Sequence, residues 1–127
     1  MKVDEILAFV DEMKPNVISD EVKITWLNTL ERKIFSQLLM NYEHELTEEG
    51  EEPKEPHITE EDKGTELIAP EEYADVYRYY LMGKIDFMNQ DTDLYMNDAA
   101  MFNQAYLELA NYWSRTHKQL GTDHFEV

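Results

Sequence analysis

Apolar positions recur at helical spacing through four stretches of the chain, separated by polar breaks. Ile6, Leu7, Phe9, Val10 and Met13 predict a short helix over Val3–Met13. Lys14-Pro15-Asn16 ends it, because proline lacks an amide donor and disfavours helical geometry in the residue before it. Ser19 is then a candidate N-cap, with Asp20 and Glu21 in the first turn where the helix dipole favours acids. From there Ile24, Leu27, Leu30, Ile34, Leu38 and Tyr42 form one stripe, predicting a long helix to about Glu45.

Residues 46–69 break the pattern with "EEGEEPKEP" and "TEEDKG", a connection rich in acids, proline and glycine that is expected to be flexible and to contribute nothing to a core. Pro70 suits the first position of a third helix running to about Asn89 or Gln90. "QDTD" supplies a tight turn with Asp91 or Thr92 as the next cap. The fourth helix then carries Tyr95, Ala99, Phe102, Tyr106, Leu109 and Trp113 along one face, with His117 placed to cap its C-terminus. Residues 119–127 read as a frayed tail. So short a turn makes helices three and four antiparallel neighbours. The expectation is an all-α fold in one domain over 1–127, a small four-helix bundle with a long acidic loop between helices 2 and 3.

Charge narrows what such a fold can do. The 127 residues carry a formal net charge of -17, with 28 acids against 11 Lys and Arg. Binding to phosphate backbones or anionic lipid needs clustered cations, so sequence-specific nucleic-acid binding and membrane binding are not expected. No apolar run is long enough to cross a bilayer. Asp4 and Glu5 stand where a signal peptide would carry basic residues, so a cytosolic protein is expected. With no cysteine and with His44, His57, His117 and His124 scattered, neither disulfides nor a zinc site is expected.

Two charges sit where the pattern wants apolar residues. On the third helix Tyr73, Tyr77, Tyr80, Lys84, Phe87 and Met88 form a stripe with Lys84 near its middle, and on the second Glu31 lies among Leu27, Ile34 and Leu38. A buried charge needs a partner, so Glu31 and Lys84 are expected to pair between helices, with a Tyr73 or Tyr77 hydroxyl completing the hydrogen bonds. A lysine with a lowered pKa in a Schiff-base site is the chemical alternative, but no Gly-rich loop or Arg cluster accompanies it. "DTDLYMNDAAMF" begins like a calcium loop at Asp91 and Asp93. It departs from one with Met96 at the glycine position and Phe102 in place of the bidentate Glu. No catalytic, cofactor or metal site is expected, and the protein is not expected to be an enzyme.

Apolar residues away from the core stripes suggest a contact surface instead: Tyr79 and Met82, beside Gly83, on the third helix, and Met101, Ala105 and Tyr112 on the fourth.

The runs "WLNTLERKIFSQLL" and "LIAPEEYADVYRYYLMGKIDFMNQDTDLYMNDAAMFNQAYLELANYWSRTH" resemble small head-tail connector, or adaptor, proteins of Firmicutes siphophages and prophages. The resemblance implies an α-helical subunit that oligomerises as a ring beneath the portal and meets the portal or neighbouring neck and tail proteins. It also implies a location in the host cytoplasm during assembly and then in the virion. An acidic channel would let DNA slide without sticking. The rival expectation is an acidic inhibitor that mimics DNA and occupies a basic nucleic-acid-binding protein.

Overall fold

The structure, a computed structural model, describes residues 1–120. Among them the chain is all-α, with α1 (Val3–Met13), α2 (Asp20–Ile34), α3 (Asp75–Met88) and α4 (Thr92–Thr116). Ser19 caps α2 by accepting a hydrogen bond from the Val22 N–H, and Asp91 caps α4 by accepting from Leu94 N–H. Both caps answer the orphan amides of a first helical turn. A 3₁₀ turn over Glu71–Tyr73 precedes α3.

The second helix stops short of Glu45. After Ile34 the chain winds through a π-helical turn, Phe35–Leu39, closed by Met40 N–H donating to Phe35 C=O at 2.9 Å. Leu38 is buried in that turn. Beyond it the chain leaves the helix, and Tyr42 pairs in antiparallel fashion with Gln119. Glu43 N–H donates to Lys118 C=O and Leu120 N–H to Asn41 C=O. The start of the expected tail is therefore tied down, while 121–127, with His124, lie outside the described residues.

α3 is the centre of the packing, with its main contacts to α1, α2 and, most extensively, α4. The core joins Val3, Ile6, Leu7 and Val10 of α1 to Ile24, Leu27, Leu30 and Ile34 of α2 and to Val76, Tyr77, Leu81 and Ile85 of α3. Burial on α3 thus departs from the aromatic stripe expected. Because other helices cover two of its sides, the buried arc takes in Leu81, Met82, Gly83, Ile85 and Asp86, while Phe87 and Met88 stay 62% and 58% exposed.

The acidic segment overturns the expectation that it adds nothing to the core. Ile58, Leu67 and Ala69 are buried among the helices. Asn28 of α2 clamps Ile58 from both sides, its Nδ2 donating to Ile58 C=O at 2.9 Å and its Oδ1 accepting from Ile58 N–H at 2.7 Å. Val3 N–H donates to Thr65 C=O, Asp4 N–H to Lys63 C=O and Leu67 N–H to Met1 C=O. Lys63 meets Asp20 at 2.6 Å, and Arg32 donates to Pro56 C=O at 3.2 Å. The few apolar side chains are spaced so that the acids between them remain in solvent.

Replacing Asn28 by Ala leaves the Ile58 N–H and C=O unpaired in the interior. It should lower the unfolding free energy by about 2 kcal/mol in a urea titration. It should also hasten proteolytic cutting between 53 and 66; cutting at the wild-type rate would mean the clamp does not hold the segment.

Candidate interaction surface

The buried Glu31 lies beside the start of α3. Its Oε1 accepts from the Tyr77 hydroxyl at 2.7 Å, its Oε2 accepts from Ile68 N–H at 2.8 Å, and the Tyr77 oxygen accepts from Ala69 N–H at 2.9 Å. Burial pushes the Glu31 carboxyl above its ordinary range, and the bonds from Tyr77 and Ile68 pull part of the way back. The Tyr77 hydroxyl is held well above its usual value by burial and then by the neighbouring Glu31 charge.

Lys84 is not part of this network, so the expected Glu31–Lys84 pair does not form. Glu31 meets α3 at Tyr77, and Lys84 sits seven residues later, roughly 10 Å along the helix axis. Its half-buried side chain instead carries the ammonium to 5.3 Å from the Tyr80 ring centroid. The expected Tyr77 hydroxyl is present, bonding to Glu31 without the lysine, while Tyr73 packs against Tyr112 at 4.8 Å between ring centroids.

The four expected interface residues divide. Met101 is 41% exposed, Tyr79 and Tyr112 are half-buried, and Met82 is only 6% exposed. Met82 fails as a surface residue because it lies between Arg78, which sits over Phe9, and Asp86, which meets Lys14, on the side of α3 that α1 covers. On the side toward α4, Gly83 is close enough that a Cβ on it would stand 3.5 Å from the Asp98 Cβ, an ordinary contact. Aromatic pairs close the same seam, Tyr80 with Phe102 at 5.4 Å and Phe87 with Tyr95 at 5.3 Å. A groove of about 320 Å³ opens beside it, lined by Tyr79, Tyr80, Lys84, Phe87, Tyr95 and Phe102 among others.

Sequence reasoning picked out Met101 on the outer face of α4 but passed over the rest of that face. Between Leu94 and Leu107 the one charged residue is Asp98, and Asp98 is buried. Every exposed position there is uncharged: Leu94, Tyr95, Met96, Asn97, Ala100, Met101, Asn103, Gln104 and Leu107. In a chain with 31% charged residues this is a strip swept clear of charge. Charge depletion with aromatic and methionine side chains marks the centre of protein interfaces. The signal was present as an absence of Lys, Glu and Arg over several turns.

Among the described residues no group of three or more His, Asp or Glu could hold a metal ion, and no helix is long and apolar enough to cross a membrane. The described histidines are dispersed: His44 bonds to Glu52, His57 to Arg32, and His117 stacks on Trp113 at the end of α4. Comparison of the chain with family models, curated proteins and solved structures finds no match in any of the three.

Three substitutions test the network. Tyr77→Phe leaves Ala69 N–H without an acceptor and Glu31 short of a donor, and should cost about 2–4 kcal/mol in chemical unfolding. Lys84→Met should cost less than about 0.5 kcal/mol, because no ion pair is lost. The raised Glu31 makes the folded chain hold a proton that the unfolded chain releases. Its stabilising contribution is therefore full below its ordinary 4.5 and lost as pH rises through the raised value. Thermal melts of Glu31→Gln across pH should lack that component of the fall seen in wild type.

Proposed function

We propose that the protein is a virion assembly subunit of the head-tail connector type, working through protein contacts and without chemistry of its own. The observation that carries this reading is the charge-free outer face of α4. Copies of a chain with net charge -17 repel one another, and a strip without charge is where two of them can meet at least electrostatic cost. The occupant of the strip is a second copy, and repetition of that contact builds a ring. The portal and neighbouring neck proteins meet the ring at its ends, in the host cytoplasm during assembly and afterwards in the virion. The resemblance of "WLNTLERKIFSQLL" and the α3–α4 sequence to connector proteins supports the same reading. The acidic remainder suits a channel through which DNA slides without binding. In this arrangement the small helical bundle is the rigid body of the subunit, and the acidic segment is one of its faces.

Light scattering over a concentration range, with and without portal, tests it. Wild type should grow in mass with concentration or on portal, and Met96→Glu or Leu107→Glu should stay monomeric in both conditions. At these exposed positions the unfolding free energy should move by no more than about 0.5 kcal/mol. A wild-type chain that is monomeric throughout, ignores portal and competes with DNA for a basic protein would replace this reading with the DNA-mimic one.

A further inference from the structure

A pair of acids beneath the charge-free strip has no part in the proposed contact. Asp86 of α3 and Asp98 of α4 are 3% and 4% exposed. Asp98 faces α3 beside Gly83, with Asp86 as its neighbouring acid. Lys14, at the end of α1, brings its Nζ to 3.0 Å from Asp86 Oδ2. Asp98 Oδ2 is buried without a hydrogen-bond partner. Two ionised carboxylates against one ammonium would leave an uncompensated negative charge in the interior, so one of the pair is held with its proton. Lys14 is paired with Asp86, whereas Asp98 has no ion-pair partner among the described residues, so the proton resides on Asp98.

The other charges around the pair do not relieve it. Asp91, in the turn before α4, adds negative potential. From α2, Lys23 is committed to Asp11 and Glu31 to Tyr77 and Ile68. On α3, Lys84 lies over Tyr80.

The position of Asp98 makes this consequential. From Thr92 to Tyr106 it is the one residue of α4 that is buried outright, whereas the second half of the helix is anchored by Leu109 and Trp113. We propose that the Asp86–Asp98 pair is a proton-binding latch: with the proton on Asp98 in place the first half of α4 is held on α3, and loss of the proton lets that half lift away. The latch is independent of whether α4 meets a second copy.

Burial first, and then the neighbouring Asp86 carboxyl, push Asp98 from 3.8 up to about 7. A raised folded-state value means stabilisation that is complete below the ordinary value and lost as pH climbs to and through 7. With those two values the opening constant of the first half of α4 rises roughly fiftyfold between pH 5 and pH 7 and levels off above.

Hydrogen exchange of the backbone amides of 96–106, corrected for the intrinsic rate, reads that opening directly. In wild type their protection should fall by tens of fold from pH 5 to pH 8, ahead of the amides of 109–113 and of α2. Asp98→Asn keeps a hydrogen-bonding side chain without a titration and should remove the fall. Equal pH dependence in wild type and Asp98→Asn, or a fall spread uniformly over α2 and α4, would overturn the latch. Lys14→Met is the second variant, sound even if Asp98→Asn folds poorly: removing the cation should move the midpoint of the fall to higher pH, and an unmoved midpoint would also overturn it.

Discussion

One buried carboxylate sets the geometry of this protein. Glu31 cannot remain in the interior as a bare acid, so the chain around it has to deliver donors, and it does so from two places distant in sequence. The Tyr77 hydroxyl comes from the first turn of α3 and the Ile68 N–H from the segment leading into it. Ala69 N–H, bonded to the same hydroxyl, fixes the entry of the chain into α3. A single side chain on α2 thereby sets how far along its axis α3 docks. The register of α3 in turn fixes where α4 can lie, through the contact of Gly83 with Asp98 and the aromatic pairs along the seam.

This explains what could and could not be read from residue order. Caps are local, and Ser19 and Asp91 stand where their side chains announce them. The helical phases of α1 and α4 are likewise local, and most of each stripe recurs in the core or packed against it, while Met13 and Tyr95 at their ends are exposed. Glu31 was legible as a misplaced charge, yet its partner was not, because the periodicity of a helix says which face a residue occupies and nothing about its height against a neighbour. Lys84 lies nearly on the face of Tyr77 and two turns away from it. The acidic segment misled for a different reason. Its composition is set by the many residues that face water, while its docking depends on Ile58, Leu67 and Ala69. The end of α2 was obscured by the π-helical turn, which shifts the hydrogen-bonding pattern without interrupting the apolar one.

Charge is distributed with the same economy. The loop and the surfaces of α1 and α2 carry most of the acids, and the exposed part of α4 from Leu94 to Leu107 carries none. The acid that α4 does hold there is turned inward, against a partner acid and a lysine. The α-helix that buries the fewest of its residues is thus also the one whose exposed strip from Leu94 to Leu107 is free of charge.

The docking of the acidic segment has a consequence for how the chain reaches this state. α3 and α4 are joined by a short turn and can close on each other early, because the loop entropy to be overcome is small. The hydrogen bonds of Val3 to Thr65, Asp4 to Lys63 and Asn28 to Ile58 link positions about 30 to 60 residues apart. Those links raise the contact order above that of an up-and-down helical protein of equal length, so folding is slower than the helix content alone implies. They also place the sealing of the first helix under the acidic segment among the late events, after the α3–α4 hairpin has given it a surface to close upon.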